Sequence, residues 1–457
     1  IKKIEIGNVS MPINNSLLRG AQSLFGLKTE LQFGKLFITG ILSRQQGKSE
    51  SVKIENGAEG RNFEILSSNY DENRHFFLGH FFRDNYENWL RSLPQVISGL
   101  NITRVEVYIL NRNNNTETLR NFLALMDLGE GSKIHKPSNS NIGNGIEGPN
   151  DNTANKLFAS LIEKPNLRNI ESVNEIMKND FSLVNSIDFE KVTSARKLSD
   201  SEYKVNGALG YISLLRKLQN DEVLAVSYEY TYNGKRYQVG ELSENYQNRS
   251  DDETIMLKLL RPSSINTTIP TWKLMMKNIY NLNSNQVNSE GFELRINYRD
   301  DANGFDNPSL NEGILTKDKP LVELLGLDRL NSNNDPQKDG NFDYVEGYTI
   351  DSNTGNIIFP VLQPFGTNLS FYFEQNNEEN LQFKYVFNEL YELTQSDAKK
   401  VLSKNKFYII GKYSSGSSSE ISLPGLDIAE NSVVVMSGNI QLVEGKDYTV
   451  DYNLGKI

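Results

Sequence analysis

The chain has 457 residues, room for roughly three domains of ~150 residues, each able to bury its own core. Its 58 acidic residues outnumber the 48 basic ones, and the resulting net charge of −10 excludes the basic footprint of a nucleic-acid binder and disfavours an anionic membrane surface as partner. Cysteine is absent, which excludes disulfides, thiolate metal sites and cysteine nucleophiles together, and no run approaches the ~18 apolar residues of a membrane-spanning helix, so any membrane passage would be by β-strands.

Residues 1–84 read as strands. Lys28 to Ser43 (KTELQFGKLFITGILS) predicts one unusually long strand, with Thr29, Leu31 and Phe33 alternating against Lys28, Glu30 and Gln32 before both faces turn apolar at Leu36. Val52 to Leu66 and Arg74 to Arg83 predict further strands. The start at Ile1, without a basic-then-apolar leader, and the strand-like end from Gly455 to Ile457 are what an excised or processed piece would show.

Residues 85–222 read as an α+β insertion. Trp89, Leu90, Leu93 and Ile97 recur at helical spacing, Ile102 to Leu110 alternates as a strand, and Tyr211 to Leu218 carries an apolar stripe of helical period. Between them Gly129 to Asn155, rich in Gly, Asn, Ser and Pro, predicts a long surface loop or flexible insertion. A β-rich section follows over 223–392. Leu224, Val226, Tyr228, Tyr230 and Tyr232 alternate up to Asn233-Gly234, predicting a type I′ hairpin returning through Lys235 to Val239. Thr271 to Leu282 predicts a helix after Pro270, and Phe292 to Tyr298, Tyr348 to Val361 and Leu369 to Phe373 predict strands, the second broken at Asn353-Thr354-Gly355. In 393–457, Thr394 with Asp397 marks a capping box for a helix to Leu402. Phe407 to Tyr413, Ser432 to Met436, Ile440 to Val443 and Tyr448 to Tyr452 then predict a small, incomplete β-sandwich module.

Chemistry-bearing motifs are sparse. The three histidines, His75, His80 and His135, lie in no metal-ligand or nucleophile-activating motif, and His75 and His80 would face opposite sides of a strand. No phosphate-cradling glycine loop, G-x-S-x-G or H-E-x-x-H occurs, so no enzyme is predicted. One segment, Asp335 to Glu346, approaches the calcium pattern D-x-[DN]-x-[DN]-G-x5-E, with Gln337 its one departure. Asp335, Asp339 and Asp343 would supply carboxylates, Gly340 the turn, Asn341 its carbonyl and Glu346 two oxygens, in a loop outside a true EF-hand. The alternative is a polar turn whose carboxylates face water. Calcium is the only cofactor the sequence suggests.

Several whole phrases stand out: Ile4 to Lys35 (IEIGNVSMPINNSLLRGAQSLFGLKTELQFGK), Asn73 to Tyr86 (NRHFFLGHFFRDNY), Leu259 to Ser264, Pro270 to Ile279, Asn341 to Asp351, Ile357 to Gly366 and Val443 to Leu454. Together they resemble the SprA-like family of gliding-motility and type IX secretion proteins. The resemblance implies a mainly β fold with α+β insertions: part of a very large outer-membrane β-barrel, with Lys28 to Arg83 in its wall and soluble β-sandwich-like and α+β domains inserted. It implies a protein-export channel at the outer membrane and cell surface of a Gram-negative bacterium, carrying folded proteins, with insertions periplasmic or extracellular. Implied partners are a PorV-like outer-membrane shuttle protein, a periplasmic plug protein and secreted proteins with type IX export signals. The residues alone also admit a cell-surface carbohydrate-binding or adhesive β-sandwich, which would be soluble throughout its opening section.

Overall fold

The computed structural model describes residues 3–9, 24–34, 36–43, 53–55, 58–110, 119–219, 221–300, 304–415, 423, 428, 432–438, 440–452, 455 and 457. The chain divides into two compact units, one made of residues 1–53 with 418–457 and the other of 54–417. In the smaller unit, strands Lys3–Val9, Leu24–Phe33 and Leu36–Ser43 form an antiparallel sheet with the middle one central. The single long strand predicted over Lys28 to Ser43 is therefore a hairpin, turning at Gly34 in the left-handed region (φ 62). The point at which the alternation gives way to apolar residues on both faces, Leu36, is where the second strand begins, with Phe33 paired to Leu36 across the turn.

In the larger unit six strands form one sheet: β1 (Leu100–Ile109), β2 (Leu119–Leu125), β3 (Phe189–Lys197), β4 (Leu224–Tyr232), β5 (Lys235–Val239) and β6 (Thr254–Arg261). Neighbours run β5-β4-β6-β2-β3-β1, and β1 pairs again with β4, so β1, β3, β2, β6 and β4 close into a small five-stranded barrel. All pairs are antiparallel except β6 with β2, which is parallel with Ile255 opposite Phe122 and Leu257 opposite Ala124. Alternate residues make the interior: Tyr108, Phe122, Ala124, Val192, Ala195, Ala225, Ile255, Leu257 and Leu259 form one cluster with Tyr246. Small alanines beside large rings fill the narrow bore. The predicted hairpin is present, with Asn233 (φ 47) and Gly234 (φ 79) both left-handed as a type I′ turn requires.

The outer wall of the barrel is covered twice. On Leu123, Leu125 and Met256 packs a helical insertion whose buried residues include Ile142, Leu157, Leu161, Val173, Met177 and Phe181. Against Val226, Tyr228 and Tyr230 packs helix α1 (His80–Trp89), through Phe82 beside both tyrosines. Beyond α1 the main core extends through sheets that join distant segments: His75–Phe77 with Tyr211–Leu214, Ile279–Asn281 with Asn356–Ile358, and Phe407–Ser415 lying between Ala58–Leu66 and Glu293–Arg299. The predicted sandwich module over 393–457 is thus divided, since Phe407–Ser415 belongs to the larger unit's sheet. Likewise the predicted boundary at 222/223 falls inside the barrel, whose strands come from both sides of it.

Four predicted elements are of the other type. His80 to Arg83 is helix rather than strand. Tyr211 to Leu214 is strand rather than helix, paired with His75–Phe77. Thr271 to Leu282 is a single helical turn, Pro270–Lys273, followed by extended chain, because the backbones of His75 and Phe77 take its hydrogen bonds: Phe77 N donates to Leu274 O and Met276 N to His75 O, each at 2.9 Å. Leu369 to Gln375 is helix rather than strand. The first three are short apolar runs buried on more than one side, where neither period dominates; Leu369–Gln375 buries Leu369 and Phe373 on one helical face and leaves Phe371 exposed. The chain is mainly β with short helices, and the barrel closed among the described residues is the small five-stranded one.

Candidate functional site

Polar side chains meet at several places inside the larger unit. The first forms where α1 begins. Gly79 is extended and supplies no capping side chain, so the first helical amides look elsewhere: His80 N donates to Glu130 Oε1 (3.3 Å) and Phe81 N to Asn150 Oδ1 (3.2 Å). A Cβ on Gly79 would come within 2.6 Å of Asn150 Oδ1, so only glycine admits this approach. Glu130 is also met by Lys258 Nζ at 2.8 Å, His80 Nδ1 at 3.0 Å and Asn150 Nδ2 at 2.9 Å, with all four residues buried. Burial works to raise the Glu130 carboxyl, but Lys258 and then His80 outweigh it and hold it well below the usual carboxylate range. The loop that brings Glu130 and Asn150 has no helix or strand, as its composition predicts, yet Asn150 and Asn155 tie its two ends together and Asn150 Oδ1 ties it to α1.

The second constellation is His75 between Ser213 Oγ (2.8 Å from Nδ1) and Asp71 Oδ2 (3.0 Å from Nε2). Ser213 sits mid-strand with its backbone opposite Lys204 and His75, on a pleated surface rather than a strained turn. The arrangement ties three strands and the preceding turn together. The two predicted strand histidines therefore part company, His75 on a strand and His80 at a helix start.

The third is a cleft of about 480 Å³, within the ~300–1,000 Å³ typical of ligand sites. Arg83, Lys273 and Lys277 line it against a single carboxylate, Glu392. Arg83 pairs with Asp84 (2.9 Å), whereas Lys273 and Lys277 make no ion pair among the described residues. Lys277 is buried with its ammonium 4.2 Å from the centre of the Trp272 ring, and Nζ donates to Trp272 O (2.8 Å) and Met275 O (3.3 Å). Burial first, then Arg83 and Lys273, push this ammonium down to about 7, with Glu72 opposing. Asn278, fully buried on the same lining, donates from Nδ2 to Phe359 O (2.7 Å), and its Oδ1 finds no hydrogen-bond partner among the described residues.

The residues of the calcium-like pattern are spread rather than convergent. Asp335, Gln337, Asp339, Asn341 and Glu346 are exposed and Asp343 is buried. Asp343 accepts from Arg329 N (2.6 Å) and Leu330 N (3.1 Å), Asp339 from Asn341 N (3.0 Å), and Glu346 from Ser352 N (3.0 Å). The turn itself is held from outside the pattern by Asp328, which accepts from Asp339 N and Gly340 N. Among the described residues no three His, Cys, Asp or Glu side chains come together to hold a metal ion. Sequence reading did not find the cleft; its one local signal is Lys273 and Lys277, two cations four apart in the otherwise apolar run TWKLMMKN.

A family model described as motility related/secretion protein, the SprA N-terminal family, matches residues 1–237. The chain belongs to this family. No curated protein matches it. SprA-family membership gives the chain a motility and secretion theme and a cell-envelope setting. The family match ends inside β5, before β6, so the strand that closes the barrel lies beyond it. Among the described residues no helix is long and apolar enough to cross a membrane, a statement that leaves β-barrels untouched.

Proposed function

We propose that the chain is part of a protein-export channel, the type IX secretion translocon, which passes folded proteins across the outer membrane and supports gliding motility. The observation that carries this reading is the family match over residues 1–237. The hairpin of the smaller unit supports it: Phe33, Leu36 and Ile38 are 63, 58 and 45% exposed, apolar side chains suited to lipid or to further barrel strands. On this reading the larger unit is a folded insertion outside the lipid, because its loops would carry unpaired backbone groups into hydrocarbon at several kcal/mol each. The chain would act by forming and lining a route rather than by catalysis. Its partners would be a PorV-like shuttle protein, a periplasmic plug protein and secreted proteins with type IX export signals. Calcium, where bound, would stiffen the loop from Asp335 to Glu346.

A cryo-EM map of the detergent-extracted complex purified through this chain tests the proposal. A very large barrel with residues 24–43 in its wall is expected. A compact water-soluble particle with the hairpin folded into an ordinary sandwich would overturn it and favour the carbohydrate-binding or adhesive reading.

A further inference from the structure

We propose that the cleft lined by Arg83, Lys273 and Lys277 binds an acidic peptide segment, taking a carboxylate side chain between the cations and peptide backbone on the amides of Gln363 and Asn388. The sign of the cleft is opposite to that of the chain, three cations to one carboxylate in a protein of net charge −10, so the cluster is not the overflow of a basic composition. Two of the cations have no counter-ion among the described residues, and Lys277 has only carbonyls to donate to. A buried cation in that condition gains most from an incoming anion, and the lowered ammonium of Lys277 expresses the same deficit. The second half of the recognition comes from side-chain amides on the lining. A peptide carries a backbone N–H, a backbone C=O and a carboxylate within one residue of each other, and so can use cations and amides together. Gln363 and Asn388, also on the lining, add amides able to pair with peptide backbone.

The test uses the whole 457-residue chain and labelled peptides of alternating Gly and Glu, or Gly and Gln, followed by fluorescence anisotropy. The Glu peptide is expected to bind saturably and at least about tenfold more tightly than the Gln peptide, a difference of about 1.4 kcal/mol. Lys273 is exposed, so Lys273→Glu should leave the melting temperature unchanged and abolish the preference, while Glu392→Gln should strengthen binding of the Glu peptide. Equal affinity for the two peptides, or a preference that survives Lys273→Glu, would overturn the site. Free glutamate competing as well as the Glu peptide would overturn the peptide assignment.

Discussion

Two lysines are buried in the larger unit by opposite means. Lys258, on barrel strand β6, has its Nζ 2.8 Å from the Glu130 carboxylate and also donates to Met126 O. Lys277, on the extended segment after Pro270–Lys273, has two carbonyls and the face of Trp272 but no carboxylate. The first arrangement costs desolvation of two ions and recovers it through mutual attraction and satisfied hydrogen bonds; the second avoids the cost by lowering the charge itself. A lysine of the first kind locks structure. One of the second kind stays available to a ligand.

The largest expected effect comes from converting the first case into the second. Glu130→Gln leaves Lys258 buried without a counter-charge and should destabilise the larger unit by roughly 3–5 kcal/mol in denaturant melts. Adding Lys258→Met should restore much of that loss. If the single variant costs no more than a surface substitution, the pair is not the lock described. Next, Lys277→Met removes the uncompensated cation. Between about pH 7 and 10.5 the unfolded lysine holds a proton that the native one lacks, so the wild-type protein loses stability as pH falls through that window, by up to about 1.4 kcal/mol per pH unit, and levels off below it. The variant should show a flatter profile over the same window.

Asp343 is the acidic counterpart of Lys277, buried with backbone N–H groups and no ion pair among the described residues, and burial pushes its carboxyl up to about 6. Its native state keeps a proton that the unfolded state releases, so its contribution is present below the ordinary value of 3.8 and lost as pH rises through about 6. Asp343→Asn should flatten that part of the profile and slightly raise stability at neutral pH. The same variant interrogates calcium. Asp343 would have to turn from Arg329 and Leu330 to serve a cation, so calcium is expected to leave the melting temperature unchanged; a rise that Asp343→Asn abolishes would show that the loop refolds around the ion. Smallest is Thr394→Ala, which removes an exposed cap on Asp397 N and should cost about 1 kcal/mol.

Local patterns in the sequence predicted what local physics decides. Asn233-Gly234 supplies two left-handed residues between alternating runs, and Thr394 with Asp397 forms a recognisable helix start; both elements are present. Runs such as YISLLRKL and TWKLMMKN misled because their period is ambiguous and the deciding partner, His75–Phe77, is remote in sequence. The asparagines from Gly129 to Asn155 looked like a mark of mobility, yet Asn150 and Asn155 serve as substitutes for missing backbone partners. The cleft was illegible for a related reason: Arg83, Lys277 and Glu392 meet only after three separate stretches of chain have packed.

Closure of the barrel by its last strand has a consequence for synthesis. Strand β2 is made early but pairs on one side with β6, across the whole helical insertion and the β4–β5 hairpin. Until residue 261 has emerged, β2 and the first half of β4 each present a bare row of amides and carbonyls, apolar on both faces. Such a nascent chain is a template for wrong pairing with its neighbours, and a polypeptide stopped where the family match ends, at residue 237, would be held in that state permanently.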